Sequence, residues 1–221
     1  MGIPTIDGAQ LIAFFKATWC LLMQLVIIRH GESVANAQRI LQGHSEYSLS
    51  ELGRQQAHTL SNRLIKRAFS FDVVYSSDLA RAVETTEILA NQLKIPSNKI
   101  NYTKLLREHA LGTFEGVKYD DLSPERKKVF QEVLEFPSKK FPGGESIHDY
   151  VSRLKAFLRI LDNLDPPPKS VLIVAHGGTL YQLLIRIWKL IPDIDGWFTN
   201  CSMTIVEQRN DAKWVLISLN E

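Results

Sequence analysis

Two continuous apolar runs, each ending at or next to a His-Gly pair, constrain the fold of this chain more than any other feature. The first run, residues 25–28, leads through Arg29 into His30, and the second, residues 171–175, leads into His176. A continuous apolar run is typical of a strand covered on both faces, as in a parallel sheet between helices. Because ligands bind beyond the carboxyl ends of such strands, we expect both histidines and Arg29 to lie in one anion site.

The order of the predicted elements is that of an α/β protein. Runs at residues 25–28, 71–76 and 171–175 predict strands, and stretches of helical periodicity separate them. The chain closes with a predicted hairpin of residues 202–208 and 214–219 around a turn at Asn210-Asp211. This alternation predicts a three-layer α/β/α sandwich with a mostly parallel central sheet.

Short polar residues mark the predicted starts of the helices, because their side chains accept hydrogen bonds from free backbone N–H groups. The predicted N-caps are Ser48 in a capping box with Glu51, Asp78, Ser123 before Pro124, and Ser146 in a pattern with Asp149. The helix that opens with Ser48 is expected to run to about Ala68.

Composition narrows the class of partner. The net charge of +2 over 221 residues is small, and the basic runs 126–128 and 139–140 are typical of solvated surfaces, so no nucleic-acid partner is expected. The two cysteines, Cys20 and Cys201, form no metal-binding motif. A reducing cytoplasmic location is therefore expected, with a disulfide between the two as the alternative.

The N-terminal segment is apolar enough to raise the question of a membrane. Residues 9–28 contain one charge, Lys16, and their length could span a bilayer. Their last four residues must, however, also form the core strand that precedes His30. We therefore expect residues 1–22 to be a hydrophobic appendage, residues 23–221 to be the catalytic domain, and no stable membrane insertion. A peripheral membrane anchor is the alternative.

One nucleophile and two cations are predicted at the anion site. A neutral imidazole at His30 can attack phosphorus, and the neighbouring Arg29 can bind two phosphate oxygens in a fork. Arg81 lies in the first turn after a predicted strand, where a cation opposes the helix dipole unless an anion is bound nearby. A surface ion pair of Arg81 with Glu84 or Glu87 is the alternative.

An acid is also predicted. Glu108 precedes a glycine-punctuated loop, where a carboxyl group can protonate a leaving group. Glu115 and Glu145 could take the same role. His176 is expected to stabilise a transferring phosphoryl group, and the N-terminus of the helix after it is expected to add backbone donors. The remaining histidines are interpreted mainly as surface or loop residues: His44, His58, His109 and His148.

Four separated motifs in one order resemble the histidine phosphatase superfamily, also called phosphoglycerate mutase-like. They are Arg29-His30-Gly31-Glu32-Ser33, Ser76-Ser77-Asp78-Leu79-Ala80-Arg81-Ala82, the segment around Glu108, and Ala175-His176-Gly177-Gly178. The resemblance covers about residues 23–220 and implies the phosphoglycerate mutase-like fold.

The resemblance also implies roles for these residues. His30 would be the phosphorylated nucleophile, Arg29, Arg81 and His176 the phosphate pocket, and Glu108 the proton donor. Residues expected to flank the substrate are Ser33, Asn36, Gln42, Gly43 and Gly177. No metal or other cofactor is implied, and the expected partner is a small phosphomonoester.

Hydrolysis is favoured over phosphoryl transfer between substrates. Mutases of the family carry Glu-Arg-x-Tyr at the acid position and a long basic insertion downstream, whereas Glu108 is followed by His109 and Ala110. A cofactor-dependent phosphoglycerate mutase remains the alternative, and a non-catalytic binding module on the same fold is a third hypothesis. A cap-like segment at about residues 109–142 is expected to set specificity. The sequence leaves the substrate and the oligomeric state open.

Overall fold

A six-stranded mixed sheet in the order β3-β2-β4-β1-β5-β6 forms the centre of the molecule. The strands are β1 Met23–Arg29, β2 Val73–Ser77, β3 Ile100–Thr103, β4 Ser170–Ala175, β5 Met203–Gln208 and β6 Trp214–Ser218. The pairings β1–β4, β2–β4 and β2–β3 are parallel, and β5 pairs antiparallel with β1 and β6. The predicted mostly parallel sheet and its closing hairpin are confirmed.

The computed structural model describes residues 23–190, 198–209 and 213–221. Three sequence predictions fall outside these residues: the appendage at 1–22, the pairing of Cys20, and the turn at Asn210-Asp211. In the described ranges, no helix combines the length and apolar character that crossing a bilayer requires.

Helices cover both faces of the sheet. They are α1 Val34–Ala37, α2 Glu51–Lys66, α3 Ala80–Leu93, α4 Pro124–Glu135, α5 Ile147–Asp162 and α6 Gly177–Tyr181, and a π-helical segment Gln182–Ile187 continues α6. Alternate residues of β1 face opposite layers. Leu25 and Ile27 pack in a core with α5, whereas Val26 and Ile28 pack in a second core with α2 and α3. The continuous apolar run is thus explained, since both faces of this strand are buried.

Two predicted N-caps are wrong, while those of α4 and α5 are confirmed. Ser50, not Ser48, caps α2, and the Ser48 carbonyl instead accepts a hydrogen bond from a backbone N–H of α1. Asp78 does not cap α3, because both of its carboxylate oxygens accept hydrogen bonds from Arg107 at 2.7 Å. A long-range ion pair therefore overrides the local preference.

A third, smaller apolar cluster lies within residues 109–142. Phe114, Leu122, Val133 and Phe141 form it, and Phe130 packs against it. This cluster contains α4 but no strand of the sheet. The segment therefore folds around its own small core rather than extending one of the two main cores.

Candidate active site

Neighbouring parallel strands bring the two histidines together. β1 and β4 pair in register, with Arg29 opposite Ala175, and the backbone N–H of His30 donates to the Ala175 carbonyl at 2.9 Å. The ring centroids of His30 and His176 are 5.1 Å apart, with an angle of 63° between the planes. Both rings are buried. The two His-Gly motifs thus lie side by side at the carboxyl edge of the sheet.

His30 is held as a neutral imidazole. Its Nδ1 lies 2.7 Å from the Gly31 carbonyl oxygen, and because a carbonyl only accepts, Nδ1 carries the hydrogen. Burial, followed by the charges of Arg81 and Arg29, lowers the pKa of His30 well below its ordinary value. Nε2 therefore keeps its lone pair at neutral pH, and this is the form in which an imidazole is a nucleophile.

His176 is fixed by Ser77, the last residue of β2. Its Nε2 lies 2.8 Å from Ser77 Oγ, and its Nδ1 is buried without a hydrogen-bond partner in the described part of the chain. When the hydroxyl group donates to Nε2, Nδ1 carries the hydrogen and can donate to a ligand. Burial and the nearby charge of Arg81 lower the pKa of His176 well below its ordinary value.

Arg81 is among the largest fully buried side chains of the described residues. Its Nη1 and Nη2 donate to the carbonyl oxygens of Ser45 and Gly43 at 3.0 and 2.8 Å. Burial lowers its pKa to about 10, so the guanidinium group is still charged at neutral pH. The alternative of a surface ion pair with Glu84 or Glu87 is wrong, because the side chain points inward.

Arg29 supplies a second guanidinium group at the end of β1. Its Nη1 donates to the Phe198 carbonyl, and Gly177 lies beside it: a Cβ atom there would be 3.6 Å from Arg29 Nε. Burial lowers the pKa of Arg29, and the charge of Glu108 opposes that shift. The backbone at Gly177 thus lies next to the guanidinium group, with room for ordinary van der Waals contact.

Three buried nitrogen atoms of the site are available for a ligand. Arg29 Nε, Arg81 Nε and His176 Nδ1 are buried, and none of them has a partner among the described residues. Buried polar groups in native proteins are nearly always hydrogen-bonded, so these three nitrogen atoms are suited to bind an anion.

Glu108 is held by three donors. Its Oε1 accepts from the His109 N–H and the Tyr150 hydroxyl, both at 2.8 Å, and its Oε2 accepts from the Gly178 N–H at 3.1 Å. That the helix after His176 adds backbone donors for a ligand stays a prediction, and the Gly178 N–H donates to Glu108. The protein's own carboxylate occupies that N–H.

The two competing carboxylates have structural partners. Glu115 accepts hydrogen bonds from the backbone N–H groups of His44 and Leu111 at 3.0 and 2.9 Å, and so ties two loops together. Glu145 forms an ion pair with Arg153 at 2.8 Å; burial raises the pKa of Glu145, but the hydrogen bond and charge of Arg153 outweigh it and lower the pKa. Of the three glutamates, Glu108 is the one whose charge acts on both site arginines.

The predicted substrate-flanking residues form a polar cluster after His30. Ser33 Oγ lies 3.0 Å from Asn36 Oδ1 and 2.7 Å from Gln42 Oε1, and it caps α1. Gly43 follows with a φ of 48°, and its carbonyl oxygen binds Arg81. The cluster is thus connected to the buried guanidinium group through the backbone.

Sequence reasoning missed three residues around Glu108. Tyr150 is buried as the helical pattern predicts, but the pattern gives no sign that its hydroxyl binds a residue 42 positions away. Both His44 and His109 lie in loops, as predicted. His109 is only 6% exposed and is therefore not a surface residue, and the half-buried His44 has its Nε2 2.8 Å from the Glu108 carbonyl oxygen. For His109, adjacency to Glu108 was the available signal.

Comparison with known proteins agrees with this arrangement. Residues 25–221 match the profile of the histidine phosphatase superfamily (branch 1). A broad-specificity phosphatase of Saccharomyces cerevisiae is 31% identical over 205 residues, which cover 89% of this chain and 84% of that protein. A probable phosphoglycerate mutase of Photorhabdus laumondii is 33% identical, with 88% of each chain covered.

A solved structure resembles the whole described fold. It is a mycobacterial glucosyl-3-phosphoglycerate phosphatase in complex with VO3, with a TM-score of 0.76 and 29% sequence identity. The match covers 90% of this chain and 98% of that one. These relatives thus include proteins named as phosphatases and a protein named as a probable phosphoglycerate mutase.

Proposed function

Because the chain belongs to the histidine phosphatase superfamily, we propose that it is a phosphomonoester hydrolase that forms a phosphohistidine intermediate and needs no metal. Its substrate in this proposal is a small phosphorylated metabolite. The observation that carries the proposal is the set of unpartnered, buried donors of Arg29, Arg81 and His176 around a neutral His30. Such a set matches the oxygens of a phosphate group.

In the first half-reaction, His30 Nε2 attacks the phosphorus atom. A P–N bond forms, the P–O bond to the alcohol breaks, and Glu108 gives its proton to the departing oxygen. Arg29, Arg81 and His176 bind the phosphoryl oxygens, and the positive charge of the two arginines stabilises the transition state. In the second half-reaction, water attacks phosphorus, the P–N bond breaks, and Glu108 takes the proton of the water.

The residues beside this centre are proposed to contact the substrate. Ser33, Asn36, Gln42 and Gly43 follow His30 in one connected cluster, and Gly177 lies against Arg29. We assign them to the phosphate and to the atoms next to it.

The position after Glu108 favours hydrolysis over mutase activity. His109 is buried and its Nε2 lies 3.0 Å from the Glu145 carbonyl oxygen. Burial also lowers the pKa of His109, so a neutral ring lies where the family's mutases carry an arginine. The second acidic group of a phosphoglycerate would therefore meet a neutral ring at position 109 instead of an arginine. We expect negligible interconversion of 2- and 3-phosphoglycerate, and robust turnover with a bisphosphoglycerate primer would contradict the hydrolase assignment.

The same proposal includes the domain organisation and the location. Residues 23–221 form the catalytic domain, the segment at 109–142 caps the site, and residues 1–22 are an appendage. Location in the reducing cytoplasm stays a prediction from cysteine usage.

Release of phosphate from p-nitrophenyl phosphate in excess EDTA tests the proposal. The wild-type protein should turn over under these conditions and the His30→Ala variant should not. A His30→Ala variant that retains activity would refute the phosphohistidine mechanism, and loss of wild-type activity in EDTA would refute metal independence. A panel of phosphomonoesters then identifies the substrate class.

A further inference from the structure

We infer that Tyr150 is a positioning residue for the acid: its hydroxyl holds Glu108 Oε1 so that Oε2 carries the transferable proton. This inference rests on the proposed function and assigns the two oxygens of one carboxyl group to different tasks.

The two carboxylate oxygens of Glu108 accept different numbers of hydrogen bonds. A carboxylate oxygen accepts about two hydrogen bonds, and Glu108 Oε1 already accepts two, from the His109 N–H and from Tyr150. Oε2 accepts one, from Gly178. Oε2 therefore has a lone pair left for a proton, and Oε1 can keep both donors whether Oε2 is protonated or not.

The Tyr150 hydroxyl group is held in a fixed position. Tyr150 is 1% exposed, and its oxygen lies 2.8 Å from Thr179 Oγ1 as well as 2.8 Å from Glu108 Oε1. When Tyr150 donates to the carboxylate, the Thr179 hydroxyl donates to Tyr150. Burial and the charge of Glu108 raise the pKa of Tyr150 well above its ordinary value, so the phenol stays a donor.

The Tyr150 ring packs against His109 and Arg153. His109 stacks on it with centroids 5.2 Å apart and an angle of 28°, and the Arg153 guanidinium carbon lies 4.2 Å from the ring centroid. Arg153 also donates to the Glu108 carbonyl oxygen at 2.7 Å. The backbone and the side chain of Glu108 are therefore held from the same face of α5.

The test is the Tyr150→Phe variant, which removes the hydroxyl group and keeps the ring. The measured quantity is kcat/KM, which reports the phosphoryl transfer to His30, for p-nitrophenyl phosphate and for a simple alkyl phosphate. An alkoxide needs protonation as it leaves, whereas p-nitrophenolate leaves readily without it. We expect a loss of about tenfold with the alkyl phosphate, and less than about twofold with p-nitrophenyl phosphate, with KM little changed.

Controls separate positioning from folding. Tyr75→Phe removes a hydroxyl group from the same core and should leave both values unchanged. Thr179→Val should repeat the selective loss in weaker form, and Thr179→Ser should restore the wild-type ratio of the two substrates. An unfolding midpoint close to wild type for each variant shows that the fold is intact.

The outcomes distinguish the two proposals. If the wild type is active and Tyr150→Phe lowers kcat/KM equally for both substrates, or for neither, the role of Tyr150 is refuted. The hydrolase assignment then still stands. If Tyr150→Phe does not fold, the same comparison of Thr179→Val with Thr179→Ser decides. A wild type that hydrolyses neither ester refutes the proposed function and this inference with it.

Discussion

Replacing Gly178 by alanine should disable the acid while sparing the fold. A Cβ atom at position 178 would lie 2.2 Å from Glu108 Oε1 and 3.2 Å from the Tyr150 hydroxyl oxygen. Ordinary contact requires more than 3 Å, so the carboxyl group must move by about 1 Å. A misplacement of that size costs roughly 100-fold in rate, or about 2.7 kcal/mol of transition-state stabilisation.

The free energy of unfolding should change much less. Alanine in a helix is more stable than glycine by about 0.5–1 kcal/mol, and the weakened Tyr150–Glu108 hydrogen bond costs a similar amount. We therefore expect kcat/KM for an alkyl phosphate to fall about 100-fold in Gly178→Ala, with a thermal midpoint within a few degrees of wild type.

A double-mutant cycle with Glu108→Gln isolates the cause. In that background the acid is already lost, so Gly178→Ala should cost little more, and the two effects should be strongly non-additive. Additive losses, or a Gly178→Ala variant with wild-type activity, would refute the claim that the glycine makes room for the carboxyl group.

Three further predictions follow from burial and packing at the same edge of the sheet. Burial holds the pKa values of His30 and His176 below their unfolded values, so below about pH 6.5 the unfolded state binds more protons than the folded state. As the pH falls through this range, each histidine should lower the free energy of unfolding by up to about 1.4 kcal/mol per pH unit. Denaturant unfolding checks this slope, which His176→Asn should reduce and a constant wild-type stability would contradict. Arg81→Lys removes the fork that binds two carbonyl oxygens, so kcat/KM should fall at least about tenfold in the p-nitrophenyl phosphate assay, whereas equal activity would show that a point charge suffices. Gly53→Ala would place a Cβ atom 1.9 Å from the Glu32 carbonyl oxygen and should destabilise the protein by about 1–3 kcal/mol in thermal unfolding, with an unchanged midpoint as the contrary result.

The central sheet could be predicted because each local signal agrees with the tertiary structure. The apolar run before His30 is buried on both faces, and the run before His176 is its parallel neighbour. Periodicity reports burial directly, and a strand end fixes where the next side chain emerges. The meeting of the two histidines follows from that argument alone.

The surroundings of the acid could not be predicted in the same way. Tyr150 and Arg153 approach Glu108 from a helix more than 40 positions later in the chain, and helical periodicity describes which face is buried, not which atom a hydroxyl meets. The prediction that Asp78 caps a helix is wrong for a related reason, since its partner Arg107 is 29 positions away. Capping rules consider only hydrogen-bond partners that are close in sequence, so they do not predict an ion pair with a distant residue.

The most direct test of the account is to trap the intermediate. The wild-type protein, in excess EDTA, is mixed with a ³²P-labelled phosphomonoester that it hydrolyses, quenched within one turnover, and digested for peptide mapping. We expect acid-labile, base-stable label on His30, and no label in His30→Ala. Hydrolysis without any labelled enzyme, or label on a residue other than His30, would contradict the central claim that His30 carries the phosphoryl group.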